Sequence, residues 1–536
     1  MGWPMGEGWD FVVVGSGFGG SVAALRLAQK GYSVLVVEQG RRWRPQDFPS
    51  TNWKVWDSFW FPKILCTGIQ QLTLLRDSLV LHGAGVGGGS LVYANVLMTP
   101  TEEAFQDPKW RDLRDWKRVL EPHYAEARRM LGVVTNPRLT RADEVLRQVA
   151  EEMGREGTFE PTQVAVFFGE PDRTVPDPYF GGEGPDRTGC TFCAGCMVGC
   201  RVGAKNTLDR NYLYLAEKQG ARILSETRVT LVAALPDGGY RLETERATRP
   251  LFKGRSEIRA RNVVVAAGVL GSVPLLLESK RRGALPHLSD RLGDYARTNS
   301  EALLGITGGR RSPDLCEGVA ITSHVFLDDV TRFEPVRYPR GSDVMCLLGT
   351  PLTDGGTRLT RPLKWIGNCL KNPVGFLRTL WPLGRARKTV ILLVMQTLDN
   401  RMRLLLKRRW YWPFGRALTS EDPPGHPRVP AYIPLANEAA RKVAERLGAT
   451  PQSSLNEVLL NIPTTAHILG GCAMGKGPED GVVDAECRAF GHEGLYICDG
   501  SVIGANLGVN PSLTIAALTE YAMSRIPARG DSPRAG

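Results

Sequence analysis

Phe11-Val12-Val13-Val14-Gly15-Ser16-Gly17-Phe18-Gly19-Gly20 is the stretch on which the fold turns. Four apolar residues in a row predict a short buried strand from Asp10 to Gly15, and Ser21 to Gly31 reads as a helix closed by glycine. Gly15, Gly17 and Gly20 lie between them at the spacing G-x-G-x-x-G. The first glycine permits a tight turn, the second lets backbone approach a pyrophosphate, and the third lets the helix pack on the strand. The helix N-terminus then aims free N–H groups at phosphate. A second apolar strand, Tyr32 to Glu38, ends in a carboxylate at the spacing that binds a ribose 2′-hydroxyl. A negative charge there repels a 2′-phosphate, which disfavours NADP. The unit predicts dinucleotide binding and leaves NAD and FAD open.

Working outward, a second glycine cluster follows at Gly83 to Gly89, within His82-Gly-Ala-Gly85-Val-Gly-Gly88-Gly89-Ser90-Leu-Val92. It is too glycine-dense for a routine loop and lets backbone approach a second part of a large cofactor. Glu102 to Leu131 reads as one helix, with Trp110, Leu113, Trp116, Leu120 and Tyr124 near a 3.6-residue period. Val263-Val264-Val265-Ala266-Ala267-Gly268 is another buried, parallel-type strand running into a turn. Alternating apolar pieces such as Val390 to Gln396 predict a mixed sheet in the middle of the chain. The expected class is α/β: a Rossmann-like dinucleotide domain with an inserted α+β substrate domain containing a mixed or antiparallel sheet. The boundaries read as 7–100, 205–297 and 462–527 for the first domain, and 101–204 with 298–461 for the second.

The 536 residues are enough for two domains, and no tract reads as disorder. Met1 to Trp9 lacks the pattern of a signal peptide, and no run of about 18 apolar residues predicts a transmembrane helix. Eleven cysteines, four of them bunched between Cys190 and Cys200, do not form a secreted disulfide framework, so a cytoplasmic setting is expected. Net charge is +11, and Arg358 to Arg416 is rich in Arg and Lys interleaved with Trp365, Phe376, Trp381, Trp410, Tyr411, Trp412 and Phe414. Such a segment suits a solvated basic face or a peripheral site on an anionic membrane, with nucleic acid the weakest of the three readings.

The second cluster, Gly85-Val-Gly-Gly88-Gly89-Ser90-Leu-Val92, resembles the flavin-contacting loop of the glucose–methanol–choline (GMC) oxidoreductases, most closely in their cholesterol oxidase-like branch. Some relatives carry a histidine two residues after the serine that attaches covalently to the flavin. Here that position is Val92, so the resemblance implies non-covalent FAD. Three further pieces match. Val229 resembles the strand whose backbone reads adenine. Ala266 to Ser272 resembles the family's second glycine signature. Leu495-Tyr-Ile-Cys-Asp499-Gly500-Ser501 resembles the strand whose Asp–Gly contacts the ribityl chain and pyrophosphate. His467, in His467-Ile-Leu-Gly470-Gly471, and Asn510, in Gly508-Val-Asn510-Pro511-Ser512, resemble the two catalytic elements. Imidazole suits the task of taking the hydroxyl proton, and an amide can hold the substrate oxygen. Asn rather than His at 510 is the letter of the sterol-oxidising members. Glu334, in a loop before Pro335, loosely matches the carboxylate that isomerises a 5-en-3-one. The helix expected after Asn510 would turn its positive end toward the flavin.

Cys190-x2-Cys193-x2-Cys196-x3-Cys200 has the spacing of a ferredoxin cluster, but Arg201 stands where ferredoxins carry proline. An iron–sulfur cluster, zinc and a metal-free loop all stay open. The expected activity is FAD-dependent oxidation of a hydrophobic secondary alcohol, foremost a 3β-hydroxysterol, with O2 as acceptor. The alternatives are a dehydrogenase of another lipophilic alcohol that hands electrons to an acceptor protein, and a flavin/iron–sulfur electron-transfer protein.

Overall fold

The strand Trp9–Val14 sits at the centre of a seven-stranded sheet. Its run of buried valines has neighbours on both sides, with Val12 opposite Leu35 of Val34–Val37 and Val263 of Arg255–Val265, both parallel. A strand buried on both faces must be apolar throughout, and this one is. The computed structural model describes residues 8–531 apart from Arg310, Trp410 and Tyr411. Met1 to Glu7, the first residue of the expected domain, and the aromatic pair Trp410 and Tyr411 therefore lie outside the described residues.

Arg255–Val265 changes partner along its length. It runs antiparallel to Tyr240–Arg246 as far as Ala260, and from Val263 it pairs in parallel with Leu495–Ile497. The carboxyl ends of four parallel strands thus converge on one edge, at Val14, Val37, Val265 and Ile497. That edge is where an open α/β sheet binds its ligand. Helix Phe18–Gln29 follows the first strand and is almost wholly buried.

The second sheet also has seven strands, all paired antiparallel, in the order Gly349–Pro351, Ala449–Ser454, Ala302–Gly308, Thr389–Gln396, Thr331–Val336, Ser323–Phe326 and Glu160–Pro161. The two-residue period divides its faces. Leu304 and Ile306 pack with helices Arg141–Glu152 and Pro434–Leu447 in a core of their own, while Leu303 and Gly305 face a large cavity.

The expected helix from Glu102 to Leu131 is three helices: Glu102–Phe105, Pro108–Arg111 and Trp116–Leu131. Asp107 and Asp115 interrupt it because each side chain accepts a backbone N–H of the following turn, from Lys109 and Arg118. Each is a new N-cap, and Pro108 takes the first helical position. Glu334 is a second correction. It lies within the strand Thr331–Val336 with no exposed surface, and not in a loop.

Candidate active site

Gly15 adopts φ +97°, and a Cβ there would lie 2.4 Å from the Ala266 carbonyl oxygen, so no side chain fits. A Cβ on Gly20 would meet Gly15 O at 2.1 Å. Gly17 differs: its backbone is extended, and a Cβ there would meet nothing within 4 Å. It borders a cavity of about 1230 Å³ that runs from the sheet edge to the antiparallel sheet. Gly89 and Gly268 open on the same space. The glycines therefore do two jobs, one tightening the turn and one keeping room for a molecule pressed against backbone. Gly88 holds the two loops together, since a Cβ on it would be 2.6 Å from Gly17 Cα.

Glu38 is buried at the end of its strand. Its carboxylate accepts from Ser16 N (3.1 Å), Ser16 Oγ (2.7 Å) and Gly40 N (2.8 Å), and burial pushes its pKa up. Val229 reaches the cavity where the ladder with Tyr240–Arg246 shifts register. Asp499 accepts from Gly268 N (2.9 Å), Ser272 Oγ (2.5 Å) and Ser501 N (2.8 Å), which ties together the turns after two neighbouring strands. Gly500 lines the cavity beside it. Gly85 and Ser90 lie behind the wall: Ser90 Oγ donates to Gly87 O and accepts from Leu208 N, and Gly85 packs against Leu91. They shape the loop. Val92 does face the cavity. Nearby His82 has its Nε2 2.9 Å from Thr73 Oγ1, and burial pushes its pKa down to about 4.

At the other end of the cavity stand His467 and Asn510, with His467 Nε2 3.3 Å from Asn510 Nδ2. The far ring nitrogen, Nδ1, lies 2.9 Å from Glu301 Oε1. A carboxylate only accepts, so Nδ1 carries the proton and Nε2 presents its lone pair toward Asn510 and the cavity. Glu301 is held in turn by Thr465 Oγ1 (2.7 Å) and Ala466 N (2.9 Å). Burial works against a charged imidazole, but the carboxylates of Glu301 and Glu334 outweigh it and hold the His467 pKa above the ordinary value of 6.5. Glu334 Oε2 is 3.5 Å from Asn510 Nδ2, and Glu334 Oε1 is 3.6 Å from Arg332 Nε. Burial raises the Glu334 pKa against the pull of Arg332. Glu334 stands behind Asn510, whereas Glu301 reaches the cavity wall. The helix Ser512–Ser524 begins at this wall with Pro511 and Ser512, so its positive end favours negative charge there.

Sequence reasoning places His467 and Asn510 but misses Glu301 and His82. Glu301 carries no motif, and only the fold brings it to a histidine 166 positions away.

Among the described residues no group of three or more His, Cys, Asp or Glu side chains is arranged to hold a metal ion. Left-handed turns at Phe192 and Ala194, bonded to Gly318, carry Cys193 to the surface while Cys190 and Cys196 stay buried. Burial pushes their thiols up to about 12 and about 11. Cys190, Cys193, Cys196 and Cys200, the residues of the ferredoxin-like spacing, thus form no such group among the described residues.

Residues 184–294 and 407–519 match models of GMC oxidoreductases, and residues 13–43 match that of an NAD(P)-binding Rossmann-like domain. The chain is 46% identical over 530 residues to a cholesterol oxidase of Acinetobacter baumannii, covering 97% of this chain and 95% of that protein. It is 46% identical over 542 residues to a cholesterol oxidase of Mycobacterium tuberculosis, covering 98% and 92%. Among solved structures, a pyridoxine 4-oxidase from Mesorbium loti superposes with a TM-score of 0.62 at 16% identity, over 96% of this chain and 99% of that one, a likeness of fold alone. With such identity along nearly its whole length, the chain belongs to the GMC oxidoreductase family, FAD-dependent enzymes acting on CH–OH groups.

Proposed function

We infer that the protein oxidises a hydrophobic secondary alcohol, foremost a 3β-hydroxysterol, to the ketone. One observation carries the reading: the pair His467–Asn510 closes one end of a cavity whose other end is the glycine cradle. The residues fit FAD. Gly15, Gly17, Gly20, Glu38 and Val229 would hold its adenosine and pyrophosphate side. Gly88, Gly89, Asp499 and Gly500 would hold the rest, without a covalent link because Val92 faces the cavity where a histidine would be needed. When bound, FAD supplies the hydride acceptor.

The chain's own residues bind the alcohol and move its proton. Asn510 Nδ2 and His467 Nε2 hold the hydroxyl between them, and the proton passes to His467 Nε2. Glu301 stabilises the imidazolium that results, through the Nδ1–H already aimed at it. Beyond the pair, one stretch of the wall is apolar, with Ile321, Val336, Ile391, Leu393 and Met345. That stretch of wall suits a rigid lipophilic body. With dioxygen as final acceptor, alcohol plus O2 gives ketone plus hydrogen peroxide. On this reading the chain is partitioned as 7–100, 205–297 and 462–527 around the cofactor and 101–204 and 298–461 around the substrate, except that helix Trp116–Leu131 packs against Ser512–Ser524 in the cofactor-side core.

Glu334 is assigned the second step, carrying a proton from C4 to C6 of a 5-en-3-one. Its support is a buried carboxylate, in touch with Asn510, and its raised pKa makes it the stronger base for the C4 proton.

The test is turnover in air of sterols, long-chain alcohols and sugars, with product identification and peroxide assay. Sterol ketone with equimolar peroxide supports the reading. Turnover confined to sugars or primary alcohols overturns it.

A further inference from the structure

Cys190, Cys193, Cys196 and Cys200 wall a void of about 20 Å³, the size of one water molecule, together with the buried side chain of Lys205. All four are free thiols, and the chemistry proposed at His467 uses none of them. Of the four only Cys193 is exposed; Cys190 and Cys196 are buried and Cys200 is half-buried. The backbone that presents Cys193 is strained. Phe192 (φ +55°) and Ala194 (φ +57°) flank it in the left-handed region, which residues with a Cβ rarely adopt. Two hydrogen bonds hold them there, from Ala194 N to Gly318 O and from Gly318 N to Phe192 O, both 2.9 Å, and Phe192 stacks on Phe168 at 5.6 Å. Strained backbone held in place by its surroundings gathers at sites that work.

Spacing and direction single out a partner for it. Cys193-Ala194-Gly195-Cys196 has the spacing of dithiols that close to a disulfide. The Cys193 side chain folds back along this segment: a Cβ on Gly195 would lie 3.2 Å from Cys193 Sγ. Glycine at 195 thus leaves open the space over which the two sulfurs can meet. The Cys190 sulfur is engaged elsewhere, accepting from Phe192 N (3.4 Å). Lys205 Nζ donates to the Cys196 carbonyl (2.6 Å), which sets a buried cation beside the second thiol. A cation there favours the thiolate that attacks.

The same segment reaches the main cavity. Met197, next to Cys196, lines it, and the Met197 carbonyl accepts from Gln70 Nε2 (2.7 Å). Lys205 also donates to the Leu91 carbonyl (3.1 Å), beside Val92. A displacement of Cys196 is therefore passed to the cavity wall at Met197 and at Val92. We propose that Cys193 and Cys196 are a peroxide-responsive dithiol whose disulfide reshapes the cavity wall at Met197 and slows the enzyme. Hydrogen peroxide first oxidises the Cys193 thiol: the O–O bond breaks, an S–O bond forms and one water leaves. The Cys196 thiol then attacks that sulfur. The S–S bond forms, the S–O bond breaks, and the departing hydroxide carries off the Cys196 proton as a second water. Two thiols and one peroxide give one disulfide and two waters, the sulfurs losing the electron pair that the peroxide gains.

That the peroxide is the enzyme's own rests on the reading of O2 as acceptor, but the disulfide does not, so the two are measured separately. FAD-loaded full-length protein is reduced, freed of reductant and treated with added hydrogen peroxide. Alkylation before and after dithiothreitol, read by tandem mass spectrometry on the tryptic peptide 188–201 that holds all four thiols, should find Cys193 joined to Cys196 and Cys190 and Cys200 free. The kcat/KM with a 3β-hydroxysterol should fall at least about fivefold and return with dithiothreitol. Cys193→Ser, at an exposed position, should keep its flavin and its untreated activity, form no disulfide and show no reversible loss. A disulfide between other cysteines, Cys193 left as the thiol, a joined pair with unchanged kcat/KM, or an equal reversible loss in the variant overturns the proposal. Iron or zinc that blocks all four thiols in the purified protein also overturns it. During turnover without added peroxide, catalase should prevent the disulfide. A wild type that joins the pair with added peroxide but makes none in turnover counts against the acceptor reading alone.

Discussion

His467 Nδ1 lies 2.9 Å from Glu301 Oε1, and that contact decides which ring nitrogen is turned to the cavity. With Nδ1 donating to the carboxylate, Nε2 is left as an acceptor on the side of Asn510 and the cavity. The same arrangement recurs wherever a carboxylate orients a catalytic histidine from behind.

The first prediction concerns Glu301. Glu301→Gln keeps the shape but removes the charge, so the imidazolium loses its main support. A charged hydrogen bond is worth about 1.5–3 kcal/mol, or roughly 10–150-fold in rate. His467 must be neutral to accept a proton, so activity falls as pH drops through its pKa. That pKa is held above 6.5 in the wild type, and removing a carboxylate moves it down. The acid limb of kcat/KM should therefore lie above pH 6.5 in the wild type and shift to lower pH in the variant. An unmoved limb would detach Glu301 from the chemistry.

The two glycines of the first motif should fail differently. Gly15→Ala places a methyl 2.4 Å from a carbonyl in a left-handed turn, so it should lower the melting temperature even of apoprotein. Gly17 has extended backbone and open space ahead of it, so Gly17→Val should cost apoprotein only the loss of a helix cap, about 1 kcal/mol, while displacing FAD. Thermal melts and flavin content together separate the cases.

Much of this was legible in the sequence because glycine and short apolar runs report backbone directly. The βαβ unit fell where Gly15 and the valine run placed it, with helix Phe18–Gln29 starting three residues early because Gly17 can cap it. Asp107-Pro108 was also readable as a helix start, but a 3.6-residue apolar period passes unbroken across it and hid the breaks. Glu334 read as a loop carboxylate because Pro335 follows. The strand accepts that proline opposite Leu392, and the packing that buries its neighbour comes from other strands. Glu301 is a lone carboxylate in its own segment.

Glu334 and Asn510 should separate two activities. Glu334→Gln should retain oxidation of a 5-en-3β-ol within about tenfold, yet release the unconjugated 5-en-3-one, because the carboxyl that moves the C4 proton is gone. Asn510→Leu should slow the oxidation itself, since the donor that faces His467 Nε2 is lost. Ultraviolet absorbance of the conjugated enone, set against total ketone, reads both.

The central claim is that His467 takes the proton while a lipophilic secondary alcohol reduces the flavin. It is tested most directly by anaerobic rapid mixing of the FAD-loaded protein with a 3β-hydroxysterol, following flavin absorbance near its long-wavelength maximum. The wild type should bleach in a single phase. His467→Ala, with equal flavin content, should bleach at least about 100-fold more slowly. Bleaching at the same rate in both proteins, or none in the wild type with any hydrophobic secondary alcohol, would contradict the account.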